Sequence, residues 1–285
     1  MKKTIIIFSI LTGMILANWT RTNILMGSEY LDDPVNIAKY PNQIAIYGNH
    51  LFGDIHSSNE DFGLIYKPKH NIGALGVWQP PEISRGFSIG YGVNLFRFDI
   101  GASVSPVHDN LRYGFGIGRS YFSRRFDLSF LTQNGLDDDW YQFNLRISKK
   151  HSDFVVLYRY ALNYVVAPNE YQHHTTGIMI QRMVLNDGFV YLTGEYSFAR
   201  GDIESDSINI YAGLELPVSR WLVLMCSVHE NSAEDFSNPN WHIETGIGLR
   251  IRGFRINFHL NKDRLFDKDQ TIFKGAGLDL DFGSF

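Results

Sequence analysis

From residue 44 onward the chain repeatedly alternates apolar and polar side chains. In WYQFNLRIS, residues 140–148, Tyr141, Phe143, Leu145 and Ile147 oppose Gln142, Asn144, Arg146 and Ser148. In IRGFRINFHLN, residues 251–261, a tight turn at Arg252 and Gly253 leads into Phe254, Ile256, Phe258 and Leu260 set against Arg255, Asn257, His259 and Asn261. Successive side chains of an extended chain point to opposite faces, so these segments are two-faced strands and not helices. The pattern predicts strands over 44–52, 62–67, 72–79, 86–94, 96–105, 111–120, 125–132, 140–149, 154–164, 175–184, 189–199, 207–216, 221–230, 241–252, 254–261 and 272–283. That is about sixteen, an even number as bacterial barrels have. Without the first hairpin, residues 44–67, it would be about fourteen.

A soluble sandwich also uses two-faced strands, and the connections separate the two folds. Short links (RG, PVSR, LNDG, KKHSD, YFSR, NLF, KPKHN) alternate with longer ones such as NKDRLFDKDQ, NSAEDFSNPN and YVVAPNEYQHH. Tight periplasmic turns alternating with longer external loops are the asymmetry of an up-and-down outer-membrane barrel. Phe96, Phe126, Tyr141, Phe154, Tyr164, Phe189, Trp221, Trp241, Phe254 and Phe282 fall near strand ends, where aromatic girdles sit at the membrane interfaces. The fold class expected is therefore all-β, a transmembrane antiparallel up-and-down β-barrel in the cell outer membrane.

The first residues agree with export. Lys2 and Lys3 precede an uncharged apolar run from Ile5 to Leu16, followed by Ala17, the pattern of a signal peptide over 1–17. Residues 18–42 then form an N-terminal segment and 43–285 the barrel. No run is long and apolar enough for a transmembrane helix; FVVLYRYALNYVVA, residues 154–167, is interrupted by Arg159 and Asn163. Cys226 is the only cysteine, which excludes an internal disulfide, and a net charge of −4 gives no reason to expect nucleic acid.

The alternation also assigns an interior. Arg97, Arg112, Arg146, Arg159, Arg250, Arg252 and Arg255 take the lumen parity among Asp99, Asp127, Glu195, Glu215, Glu244, Asp279 and Asp281. Most of these charges are expected to pair across strands, and Arg250, Arg252 and Arg255 form the best selectivity patch, with Asp279 and Asp281 beside it. Gly90, Gly92, Gly101, Gly114, Gly116 and Gly118 share that parity and leave one stretch of inner wall without side chains. We expect residues 18–42 to dock against it as a plug; the alternative is that the glycines relieve curvature. His173 and His174 are adjacent and point apart on a strand, so no metal site is expected, and no catalytic constellation or cofactor motif stands out.

The end of the chain, GLDLDFGSF, places Leu278, Leu280 and Phe282 on the lipid side and Asp279 and Asp281 in the lumen. It resembles the C-terminal aromatic signal read by the barrel-assembly machinery of bacterial outer membranes. Phe282 is then the signal residue with a short extension, or the register shifts near Gly283 to present Phe285.

Residues 25–49, LMGSEYLDDPVNIAKYPNQIAIYGN, resemble the N-terminal region of FadL-type and PorV-type outer-membrane proteins, with Met26-Gly27, Asp32-Asp33 and Tyr40-Pro41-Asn42 in the corresponding places. The resemblance implies a hatch inside the barrel. It departs at that family's Asn-Pro-Ala-Gly, so hydrophobic-substrate transport is not carried over. The function expected is porin-like passive diffusion of small solutes through a polar lumen; the alternative is a non-transporting barrel that anchors secreted or surface proteins, as some PorV-like proteins do. The partners expected are outer-membrane lipid, the assembly machinery and small solutes, with homo-oligomer formation left open.

Overall fold

A computed structural model describes residues 19–26, 29–56, 60–68, 72–79, 86–107, 110–134, 139–166, 170–184, 187–265 and 267–284; the expected signal peptide and Phe285 lie outside the described residues. One sheet runs through β1 (His50–His56), β2 (Glu60–Tyr66), β3 (Ala74–Trp78), β4 (Ser88–Leu95), β5 (Phe98–Val107), β6 (Asn110–Tyr121), β7 (Arg124–Asn134) and β8 (Trp140–His151). It continues through β9 (Phe154–Val165), β10 (Tyr171–Met183), β11 (Phe189–Gly201), β12 (Ser205–Pro217), β13 (Leu222–Ser232), β14 (Asn240–Ile251), β15 (Phe254–Leu260) and β16 (Phe273–Asp281). Each strand pairs with its sequence neighbours, and β1 pairs antiparallel with β16 from His50↔Asp281 to His56↔Gly275. The sheet closes with no free edge.

The wall is uneven in height. β1 to β4 have 7, 7, 5 and 8 residues, whereas β10, β11 and β12 have 13 each. The connections β4–β5, β6–β7, β8–β9 and β14–β15 are two residues long, and their left-handed backbones fall on Phe96, Arg97, Phe122, Ser152 and Arg252. Such φ values let a two-residue turn match the twist of its strands. At the other end the β15–β16 connection runs from 261 to 272. The short turns mark the periplasmic rim.

Outside, the apolar parity is bare: Tyr113, Phe115, Ile178, Ile180, Leu192, Leu224 and Ile243 are all exposed. A continuous apolar belt around a closed sheet is soluble in lipid and not in water. The chain is thus an outer-membrane protein, a closed barrel of sixteen antiparallel strands.

The first predicted strand is displaced. Residues 34–38 and 41–45 form 3-10 turns, and β1 begins only at His50, six residues later than the alternation from Ile44 suggested. Pro41 presets the turn at its first position, and Ile44 and Ala45 bury themselves inside the barrel instead of joining its wall. The last strand also stops early, at Asp281, and Phe282–Ser284 turn as a 3-10 helix.

Two apolar clusters lie within the lumen. A helix α1 (Trp19–Leu25) and the chain after it supply Ile24, Leu25, Tyr30 and Leu31 to a cluster with Leu157, Met179, Phe189, Tyr191, Val223 and Met225. Val35, Ile37 and Ile44 join Phe52, Ile65, Ala74 and Trp78 in the other. Ile24, Leu25, Ile37, Tyr40 and Ile44 are 0% exposed.

Closure by the first hairpin is open to a direct check. Leu51 and Leu280 are register partners across the seam. Cα atoms of such partners lie about 4.5–5.5 Å apart, within disulfide reach. With Cys226→Ser, L51C/L280C should crosslink within one chain on oxidation, read by non-reducing electrophoresis; a fourteen-strand barrel without that hairpin would leave both thiols free.

Candidate functional site

The site is the filled interior. Where the 41–45 turn crosses β4, β5 and β6, its backbone occupies the space that side chains would take. A Cβ at Gly92 would stand 2.5 Å from the Ala45 nitrogen, and one at Gly116 2.6 Å from Asn42 Oδ1. At Gly101 it would collide with the Pro41 carbonyl, and at Gly118 with Asn42 Nδ2. Gly90 faces Ile44 at 2.5 Å, and Gly114 faces Pro41 Cγ at 3.1 Å. All six predicted glycines therefore meet the N-terminal chain, through residues 41–45. Residues 19–40 lie elsewhere: α1 packs on β12 to β16 and β1.

Polar bonds fix the segment at both walls. Asn42 Nδ2 donates to Asp127 Oδ1 at 2.6 Å, and Arg125 braces that carboxylate at 2.5 Å while reaching Asp99 at 3.0 Å. Across the lumen Arg21 Nε donates to Glu215 at 2.7 Å and its Nη1 to Asp33 at 2.6 Å. Thr20 N donates to Asp54 at 2.6 Å, and Ser227 Oγ donates to the Ile24 carbonyl. Burial lifts the Asp33 carboxyl to about 6 although Arg21 opposes it, and Asp279 adds to the lift. Asp32 is open to the lumen, and although desolvation by the surrounding wall opposes its ionisation, Arg146 and the Tyr47 hydroxyl hold that carboxyl below its usual range.

The predicted lumen charges do not share one environment. Arg146, Arg159 and Arg255 are engaged: Arg146 with Asp32 at 3.3 Å and the Leu31 carbonyl, Arg159 with Glu29 and with Glu195 at 3.1 Å, Arg255 with Glu215 at 2.8 Å. Glu244 holds His259 at 2.7 Å and Lys274 at 3.0 Å; Asp279 lies 3.9 Å from His50, and Asp281 accepts from Gly283 N at 3.0 Å. Arg112 lines the upper wall, its guanidinium 4.7 Å from the Trp140 ring centre. Arg97 and Arg252, by contrast, are exposed in the periplasmic turns and are not lumen residues. A two-residue turn breaks the strand's alternation, so parity counted through it misassigns them. The expected patch is thereby split: Arg252 leaves it, Arg255 is held by Glu215, and Arg250 stands opposite Arg255 in the register.

Above the plug, on the external side, lies a polar cavity of about 280 Å³ lined by Glu29, Tyr30, Lys39, Gln142, Arg159, Asn163, His173, Glu195 and Tyr211 among others. Lys39 pairs with Glu29, and Tyr30 donates to Glu195 at 2.7 Å, so the cavity carries both charges in balance. Tyr211 stacks on His229 with ring centres 4.3 Å apart, and His229 on His242 at 5.9 Å, continuing the wall outward. His173 faces this cavity while His174 stacks on Phe198 at 4.5 Å. Among the described residues no three His, Cys, Asp or Glu side chains converge on a metal position. Such a lining presents hydrogen-bond donors and acceptors of both charges to the cavity. Arg21, Arg125 and the His229 stack escaped the sequence reading; Arg125 shares the parity of Asp127 and was discoverable, whereas Arg21 lies in a helix without alternation.

No protein-family profile and no curated protein matches the sequence. Among solved structures the barrel is similar to OmpT, an outer membrane protein of Vibrio cholerae in its trimer form, at 9% identity over 81% of this chain and 96% of that one, with a TM-score of 0.47. It is also similar to CdiB from Acinetobacter baumannii, at 8% identity over 81% of this chain and 58% of that one, with a TM-score of 0.46. At such identities the likeness does not reach individual side chains.

Two substitutions probe the plug. A methyl group at Gly101 should unseat the 41–45 turn, at a cost of about 1–3 kcal/mol, whereas Gly194→Ala enters open space. Limited trypsin digestion at Lys39 should accelerate for G101A and not for G194A. Arg21→Met removes the cation that Asp33 and Glu215 share and leaves Glu215 to Arg255 alone; it should weaken docking by about 3 kcal/mol, seen as earlier cleavage of the segment in a denaturant series.

Proposed function

We propose that the protein is a barrel closed by its own N-terminal segment, an outer-membrane platform that receives small polar ligands or surface partners from outside and does not conduct at rest. One observation carries this reading: residues 19–26 and 29–45 reach the inner wall on both sides and bury two apolar clusters against it. Residues 31, 33–37 and 40–45 are buried, while Asn23 and Asp32 keep an exposed face toward the lumen. The hatch implied by the resemblance of residues 25–49 to FadL-type and PorV-type proteins supports the same reading.

Porin-like diffusion of small solutes is the second reading, supported by the polar cavity and the lumen charges above the plug. It requires the segment to leave. Single-channel recording in a planar bilayer, with folding checked by heat-modifiable migration, separates the two. The full chain should be silent and a variant lacking residues 18–45 should conduct. Steady conductance by the full chain would replace closure with porin-like passage, and silence of a folded deletion variant would show that the segment is not the barrier.

A further inference from the structure

We propose that a cleft on the outer face of the barrel, beside the β4–β5 and β6–β7 turns, binds the phosphate headgroup of an anionic phospholipid in the periplasmic leaflet. Arg119 shares the outward parity of Phe115 and Tyr121 and stands opposite Phe126 on β7. Its guanidinium lies 4.8 Å from the Phe98 ring centre and 5.8 Å from that of Tyr121. One row nearer the periplasm, Arg124 stands between Tyr121 and Lys149 as their register partner on either side. Like charges directly opposite each other destabilise a sheet unless an anion lies between them. Among the described residues no carboxylate pairs with Arg97, Arg119, Arg124 or Lys149, and the Arg119 Nε is buried without a hydrogen-bond partner.

The cleft measures about 210 Å³ and is lined by Arg97, Arg119, Ser120, Tyr121 and Phe122. Its place at the strand ends, below the apolar belt, is the level of lipid headgroups. Arginine forks match phosphate oxygens in geometry and charge. Phe96 and Phe122, 93% and 89% exposed, project from the turns beside it into the interfacial zone of the leaflet. Both have left-handed backbones, which Asn or Gly would adopt without strain, so bulky side chains stand there at a cost. The opposite rim is different: there exposed carboxylates, Asp202, Glu204, Glu234 and Asp235 among them, outnumber the exposed cations Arg200, Arg264 and Lys268. The attraction therefore belongs to the leaflet at the short turns.

Native mass spectrometry of the full chain tests the site, with an equimolar mixture of phosphatidylglycerol and phosphatidylcholine in detergent. The folded protein should retain phosphatidylglycerol about tenfold over phosphatidylcholine. R119Q and R124Q should each lower that ratio several-fold, R124K should keep most of it, and D235N at the far rim should leave it unchanged. Millimolar glycerol phosphate should displace none of the lipid; equal competition would make this a free-phosphate site and overturn the lipid assignment. Equal retention of both lipids by the unaltered chain, or an unchanged ratio in folded R119Q and R124Q, would overturn the proposal altogether.

Discussion

Backbone N–H and C=O groups in hydrocarbon have no water to bond, and each one left unpaired costs several kcal/mol. A sheet in a membrane must therefore close, and the pairing of β1 with β16 is where this one does so. Closure fixes the alternation, since every odd residue is given to lipid and every even one to a lumen, or the reverse. It also creates an enclosed space whose polar wall has to be satisfied. Water would suffice, but here much of the task falls to the chain's own beginning, and Asp54, Asp127, Glu195, Glu215 and Ser227 all bond to it.

Most of the wall was legible because it obeys one rule. The repeated two-residue period located β2 to β16 to within a few residues, and the lengths of the links gave the topology and the periplasmic rim. The glycines were legible as a stretch of lumen face without side chains, although not which residues would fill it. What escaped lies where the rule stops. Ile44 to Tyr47 form an apolar run that suits a strand, yet tertiary burial behind Pro41 wound residues 41–45 into a turn. Arg97 and Arg252 were misplaced because a two-residue turn interrupts the count. Arg21 was invisible for a different reason: its partners Asp33 and Glu215 are 12 and 194 residues away, and no local pattern announces such a contact.

The buried charges have a physical role distinct from holding the plug tightly. An ion pair inside a protein loses much of its attraction to desolvation, and apolar replacements often serve stability equally well. What Arg21 and Asn42 supply is placement. Apolar side chains would let the helix slide along the wall, whereas a guanidinium shared by Asp33 and Glu215 has one position. The segment is thus positioned by polar contacts and made watertight by apolar ones, an inversion of the wall around it, which is apolar without and polar within.

The uneven wall has a consequence for the bilayer. Along β3 five residues extend about 17 Å, and with the tilt usual in such barrels this strand rises about 13 Å, whereas the hydrocarbon band of the outer membrane needs about 25 Å. The thirteen-residue strands β10 to β12 cross that thickness with margin. Lipid chains beside β1 to β3 must shorten, tilt or splay to meet so low a strand wall, and those beside β11 need not. A protein of this shape meets the bilayer with a hydrocarbon-thickness demand that differs between its two sides.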